Sequence, residues 1–490
     1  MPVSGLSLPR AAAVIGTRRE DSGDAFPTFD PATGARIADL PATPLALVSE
    51  AVATAQEAFD SSWSAMSIGS RQRALKAFAT LLEGHAEELT RLEVAENGVP
   101  YGIVKQFSVA ALVRNATYFA EWVDKIPGEV VPLTGSKAFD YVTPEPYGVV
   151  GIMTAYNTPS LFLGSKATPA LAAGNTVVIK PSPLTSLGAI RLAELAMEAG
   201  LPPGTVNVVL GGADVGQALA GHPGLGKLSF TGSRAAGKAV SRAAAEHLTP
   251  LTLELGGKSP DIIFDDADIR KAVAGATLGA FALTGQACVA GSRLFVQREV
   301  LDQVVEGVVK MAASLPIGDP SLPETMLGPL VSSEHRSRVL AMIERSQVGG
   351  AEIVFGGQVP EHIEKDPCLR GGYYMTPTVV VGASDGDEII REEIFGPVVA
   401  VLPFVDEKEA VRRANDTSYG LAGGLWTRDI SRAHRVASRL RAGTVWINSY
   451  GTVPHTAPFG GFKQSGEGRE GGHWAIEAFT QPKNVYLDLH

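Results

Sequence analysis

Three short stretches carry side chains whose types could perform covalent chemistry. In "TGQACVAGSR" (284–293), Cys288 is one of only two cysteines in 490 residues, with Gly285, Ala287, Ala290 and Gly291 around it. A thiolate is a strong nucleophile and a fair leaving group. A stretch so poor in bulky side chains is poor core, so the sequence predicts an exposed, lightly covered thiol. The commoner use of a free cysteine, as an inert buried residue, stands against this. "LTLELGGKSP" (251–260) sets Glu254 among Leu251, Leu253 and Leu255. Desolvation there would raise its carboxyl toward the range of a general base. Alternation, however, puts Thr252 and Glu254 on one face, which suits a sheet-edge glutamate in solvent. "TAYNTPS" (154–160) places Asn157 before a Pro-punctuated turn. Its amide could donate to an oxyanion or serve only as a turn residue. Cys368, in "KDPCLRGG", has no such company.

Two turns carry glycines where an anion could sit. "FTGSRAAG" (230–237) ends a strand at Phe230–Thr231, turns at Gly232 and starts a helix at Ser233. That arrangement is a ready anion site, and equally an ordinary serine N-cap. "GHPGLGKL" (221–228) has the glycine and lysine spacing of a phosphate loop. It fails because Leu228 stands where a Ser or Thr must hold magnesium, and because it precedes a strand. No G-x-G-x-x-G follows a strand.

These turns need elements to position them. Residues 46–98 read as helical, with Leu75, Phe78, Leu82, Leu89 and Leu92 at three- and four-residue steps and Gly98 as a stop. From Tyr147 the pattern alternates. Strands at 147–153, 175–182, 205–210, 226–232 and 251–257 are separated by helical stretches at 184–200 and 233–248. Continuous apolar strands alternating with helices imply a parallel sheet covered on both faces, with its ligand crevice at the carboxyl ends of the strands. A second α/β region follows Cys288, with strands at 293–297, 397–404, 422–427 and 443–448, and a boundary near 256–260. Segment 130–148 reads as an extended hairpin and 481–489 as a lone strand. Such pieces pair with each other or with a partner subunit.

Composition narrows the classes. A hydrophobic fraction of 45% with 19% charged residues describes a folded, soluble chain. A net charge of −10 and the lack of a Lys/Arg run exclude a nucleic-acid footprint. No apolar run is long enough to span a bilayer, and the first twenty residues do not read as a signal peptide. Two cysteines make no disulfide scaffold, so a reducing cytoplasm is the expected home.

Taken together and in order, the motifs are more specific than any one of them. "PYGVVGIMTAYNTP", "PALAAGNTVVIKPS", "SFTGS", "LELGGKSP", "GQACVAGSR", "EEIFGPV", "YGLAGGLWT", "GTVWIN" and "PFGGFKQSGEGRE" make the chain resemble the aldehyde dehydrogenase superfamily over nearly its full length. The resemblance implies an α/β fold with a Rossmann-like cofactor domain (1–129 and 149–256), an α/β catalytic domain (257–460) and oligomerisation strands (130–148 and 475–490) that build a homodimer or homotetramer. It implies that Cys288 attacks an aldehyde to give a thiohemiacetal and then a thioester. Asn157 and the Cys288 N–H would hold the oxyanion, Glu254 would activate the hydrolytic water, and Lys166 would tune either residue. NAD or NADP would lie along Lys180, Ser182, Thr231, Gly232, Ser233, Gly257, Glu393 and Phe395, with no metal. Tyr156, Thr158, Phe162, Ser165, Ala287, Val289 and Phe459 would wall the substrate tunnel.

Two departures from the family pattern stand out. Tyr156 stands where the family often has Trp, and Thr158 and Ser165 stand where it often has an aromatic residue, which predicts a wider or more polar tunnel mouth. Pro183 replaces the glutamate of "KPSE" in many NAD-using members, which predicts NADP acceptance. The alternatives are an acylating or reductive enzyme of the same fold, and a cofactor-free cysteine hydrolase. The hydrolase lacks a histidine near Cys288 in sequence.

Overall fold

The computed structural model describes residues 7–135 and 137–489; the first six residues, which belong to the stretch expected not to be a signal peptide, lie outside it. The helical reading of 46–98 resolves into helices Leu45–Ala58, Ile68–Gly84 and Ala86–Asn97. Gly98 ends the last one in a left-handed conformation (φ 72°), the geometry glycine adopts without cost.

The first sheet has eight strands in the order Gly466–Glu467, Leu251–Glu254, Lys227–Thr231, Val149–Met153, Thr176–Lys180, Val206–Val208, Ala13–Ile15, Arg18–Glu20. Its five central strands are parallel. The chain runs outward from Val149–Met153 through Thr176–Lys180 to Val206–Val208. It then returns to lay Lys227–Thr231 on the other side of Val149–Met153. This reversal opens a crevice beyond the carboxyl ends of the two strands. Asn157 follows one of them, and Gly232 and Ser233 follow the other. Lys227, the lysine of the rejected phosphate loop, is buried at the start of its strand, with its ammonium 5.7 Å from the Tyr147 ring centre.

Leu251–Glu254 is not an edge. Glu254 sits between Thr231 on one side and Gly466 on the other, and the Leu255 N–H donates to the Ser465 carbonyl at 2.8 Å. The solvent-facing reading of Glu254 therefore fails.

The second sheet has seven strands in the order Glu352–Phe355, Thr378–Val381, Val398–Phe404, Arg293–Gln297, Pro260–Ile263, Ala422–Trp426, Thr444–Ile447. All pairings are parallel except that of Glu352–Phe355. A three-stranded antiparallel sheet joins Glu129–Val131, Ala138–Pro146 and Thr480–Asp488. The hairpin and the tail thus pair with each other. No helix among the described residues is long and apolar enough to cross a membrane.

Candidate active site

Cys288 follows an unusual turn. Leu283, Thr284 and Gly285 are all left-handed, with φ of 56°, 56° and 69°. Two successive non-glycine residues in this region store strain that the surroundings must hold. The Thr284 hydroxyl donates to the Gly328 carbonyl at 3.1 Å, and the Gln286 side-chain oxygen accepts from the Val331 N–H at 3.0 Å. A side chain at Gly285 would lie 2.1 Å from the Gly396 carbonyl oxygen. The small residues around Cys288 are there because backbone closes on backbone, not because the thiol is open to solvent. Cys288 is half-buried, which corrects the expectation of an exposed thiol. Burial, then the nearby Glu393 and Glu254, push the thiol up to about 12, while the N–H groups of Cys288 and Val289 pull it down. This environment favours the protonated thiol at neutral pH.

Cys288, Glu254 and Asn157 line one cavity of about 950 Å³. Glu254 is buried, and neither carboxylate oxygen has a hydrogen-bond partner among the described residues. Burial, followed by Glu470, raises its pKa well above the ordinary value; Lys166 and Arg469 oppose the shift. An unheld carboxylate with raised basicity beside a thiol is what a general base requires. Asn157 donates one N–H to the Gln286 carbonyl at 2.8 Å. That bond aims the amide at the nucleophile turn, and its second N–H has no partner among the described residues.

Lys166 is fully buried and not a surface lysine. Its ammonium pairs with Glu470 and donates to the Ser229 hydroxyl at 3.1 Å. Glu470 lies within "PFGGFKQSGEGRE", but nothing in that stretch marks it as a site residue. It also accepts from the Ser165 hydroxyl at 2.8 Å, and its backbone exchanges two hydrogen bonds with Phe459.

The same cavity extends along Lys180, Ser182, Pro183, Thr231, Gly232, Ser233, Glu393 and Phe395. The Ser233 hydroxyl caps its helix, accepting from the Ala236 N–H at 3.2 Å, so the N-cap and anion-site readings describe one geometry. The buried Thr231 hydroxyl is unpartnered among the described residues. Among the described residues, Lys180 gives its ammonium only to the neighbouring Pro181 carbonyl at 2.9 Å. Burial lowers the Lys180 pKa to about 8, with Asp214 opposing. The Ser182 hydroxyl accepts from the Leu184 N–H at 3.3 Å. The Gly257 N–H donates to the Glu393 carboxylate at 3.1 Å, and a side chain there would meet the Cys288 carbonyl oxygen at 2.2 Å. Burial pushes Glu393 up to about 7. Orphaned polar atoms, a capped helix start and glycines along one wall fit a dinucleotide.

Placement on the substrate side is mixed. Thr158 begins the helix Pro159–Ala172, and Phe162 lines the cavity. Ala287 and Val289 flank the thiol, half-buried. Ser165 gives its hydroxyl to Glu470 rather than to the tunnel. The Tyr156 ring lies edge-on to Phe395 at 5.8 Å and to His335 at 6.3 Å. This sets it against two residues that line the same cavity.

His335 carries no signal in the sequence, since forty-seven residues separate it from Cys288. It lines the cavity, but its Nε2 is held by the Phe395 carbonyl at 2.6 Å and burial lowers its pKa to about 4. It makes no hydrogen bond to Cys288 among the described residues. A thiol–imidazole pair, the machinery of a cysteine hydrolase, is not formed among the described residues.

The profile of the aldehyde dehydrogenase family matches residues 18–485. The chain is 42% identical over 477 residues to 4-trimethylaminobutyraldehyde dehydrogenase of Homo sapiens, covering 97% of this chain and 96% of that one. It is 43% identical to betaine aldehyde dehydrogenase of Agrobacterium fabrum, covering 96% and 94%. The structure of an aldehyde dehydrogenase from Bacillus cereus in complex with NAD+ superposes with a TM-score of 0.95 at 40% identity, covering 98% and 97%.

Proposed function

This chain belongs to the aldehyde dehydrogenase family, and from that premise we propose how its residues oxidise an aldehyde to the carboxylic acid with NAD. The observation that carries the reading is the convergence of Cys288, Glu254 and Asn157 on one cavity. The Cys288 thiol loses its proton and attacks the carbonyl carbon. The free N–H of Asn157 and the Cys288 backbone N–H hold the oxyanion of the thiohemiacetal. Bound NAD supplies the acceptor for the hydride lost from that carbon. Cys288 then carries a thioester, and Glu254 takes a proton from the water that hydrolyses it. The Lys166–Glu470 pair sets the charge next to Glu254. Lys180 and Ser182 would meet the adenosine ribose, Ser233 the pyrophosphate, Thr231 and Gly257 the nicotinamide, and Glu393 with Phe395 its ribose. A buried base for water favours hydrolysis over transfer to a thiol acceptor.

The assay is reduced-cofactor absorbance over a panel of aldehydes, with and without a thiol alkylator. Aldehyde-dependent reduction that alkylation abolishes supports the reading. Reduction that survives alkylation, or none with any aldehyde, overturns it. Asn157→Ala should lower kcat by roughly a hundredfold, the usual cost of one oxyanion donor, with little change in NAD affinity. An effect below about threefold would leave Asn157 as a turn residue only.

The substrate is an aldehyde that uses a wider or more polar mouth, with Phe162 on the cavity wall and Thr158, Ala287 and Val289 beside it.

NADP is accepted alongside NAD. A carboxylate at residue 183 would bind both ribose hydroxyls of NAD and repel the 2′-phosphate of NADP. Pro183 does neither, and Lys180 and Arg242 both line the cavity. Pro183→Glu should shift kcat/KM toward NAD by on the order of tenfold, the size expected when a charged hydrogen bond is introduced. A wild type that rejects NADP, or a variant with an unchanged ratio, would place cofactor choice elsewhere.

The three-stranded sheet, with Val130, Phe139 and Leu487 exposed, is the proposed interface of a homodimer or homotetramer. Two unbridged cysteines suit the cytoplasm.

A further inference from the structure

The last turn of the helix Ala86–Asn97 sends three polar side chains into the interior. Glu93, Glu96 and Asn97 are 2%, 1% and 1% exposed. Buried carboxylates are costly unless they are paired or hydrogen-bonded, and neither glutamate has an ion-pair partner among the described residues. Both turn instead to the starts of other helices. Glu96 accepts from the N–H groups of Ser186 at 2.8 Å and Leu187 at 2.9 Å. These begin the helix Leu187–Glu198, which has no side-chain cap of its own. Glu93 accepts from the Ser160 N–H at 3.2 Å. This begins the helix Pro159–Ala172, which is likewise uncapped by its own residues. A carboxylate at a helix N-terminus satisfies orphan donors and meets the positive end of the dipole.

Asn97 completes the arrangement. Its side-chain oxygen accepts from the Val99 N–H at 2.9 Å, which orients the amide. Its Nδ2 donates to the Asn157 carbonyl at 3.3 Å and approaches the Tyr156 carbonyl at 3.5 Å. Asn157 is therefore held at both ends: its backbone by Asn97 and its side chain by Gln286. The helix that Glu96 caps follows directly on the turn of Ser182, Pro183 and Leu184, which forms part of the cavity wall. One helical turn thus grips two separate parts of the cavity.

We propose that Glu93 and Asn97 are positioning residues for the oxyanion amide of Asn157, and that Glu96 is a positioning residue for the Ser182–Leu184 turn at the adenosine end of the cofactor. The proposal rests on the aldehyde-oxidising role of this site. The two grips act on different steps. Releasing the Asn157 backbone moves a donor needed in the transition state. Releasing the Ser182–Leu184 turn moves groups needed to bind the dinucleotide.

The test is a split between kcat and KM. Glu93→Ala and Asn97→Ala should lower kcat by about tenfold or more, since small displacements of a positioned group have effects of this size, with the KM for NAD within about twofold. Glu96→Ala should raise the KM for NAD by about tenfold and leave kcat within about twofold. Glu93→Gln and Glu96→Gln keep an acceptor oxygen and should restore wild-type values. If the alanine variants do not fold, two milder changes take their place. Asn97→Asp still accepts from Val99 but cannot donate to Asn157, and Glu96→Asp is too short to reach both N–H groups. They should show the same split. Losses that move kcat and KM together, unchanged kinetics in the milder variants, or glutamine variants as impaired as alanine ones would overturn the proposal. A wild type that reduces no cofactor with any aldehyde would instead overturn the aldehyde-oxidising role itself.

Discussion

Cys288→Ala should lower aldehyde-dependent reduction of NAD by on the order of 10⁴-fold or more, because in the proposed mechanism no later step exists without the covalent intermediate. The rest of the site survives. The substitution removes one sulfur from a half-buried position and leaves the turn at Leu283–Gly285 with all its hydrogen bonds. The thermal midpoint should stay within a few degrees, since little buried surface is lost. NAD binding, read by calorimetry, should be unchanged or slightly tighter, because Cys288 packs near the Glu393 end of the cavity and not along Lys180. Cys368 is exposed, and Cys368→Ala should match wild type. Retained turnover in Cys288→Ala would end the covalent mechanism. Loss in Cys368→Ala would mean that the chemistry belongs to the other thiol.

Glu254→Gln separates the two halves of the reaction. The amide fills the same volume but cannot take a proton from water. Rapid-quench measurements should show a burst of reduced cofactor of up to about one equivalent per site, followed by a steady state slowed on the order of 10²- to 10⁴-fold. The pH profile carries a second signature. The base acts when ionised, and its pKa is raised above the usual carboxylate range. Wild-type deacylation should therefore rise with pH at values well above those at which an ordinary glutamate ionises. That limb should vanish in Glu254→Gln. A variant without a burst would mean that Glu254 acts earlier, as the group that deprotonates a thiol held near 12.

The parts of this molecule that are legible in the sequence are those where one local signal suffices. The five central strands of the first sheet, the Gly98 stop and the Ser233 cap all follow from apolar runs and single residues. Cys288, Glu254 and Asn157 stand out because each lies in or beside a stretch with a local pattern of its own. Pro260–Ile263 does not stand out, although it lies inside the second sheet. Pro260 falls at the expected boundary near 256–260, but the Asp261 carboxylate accepts from the Trp426 indole N–H at 2.8 Å, so a distant partner makes the polar residue tolerable in a central strand. Glu470 shows the same limit. Its meaning comes from Lys166 and Ser165, about three hundred residues earlier, and no spacing rule reaches that far. The composition around Cys288 misleads for a different reason. Small residues signal close approach as readily as openness, and only the position of Gly396 against Gly285 decides between them.

The strand that carries Glu254 finds its outer partner only in Gly466–Glu467, and Ala138–Pro146 finds one of its own in Thr480–Asp488. Both late strands are made after every central strand of the first sheet. A nascent chain can therefore complete every central strand of the first sheet while the base still lies on a bare edge, with unpaired N–H and C=O groups open to other chains. Until those later residues are made, the edge beside Glu254 stays exposed to aggregation.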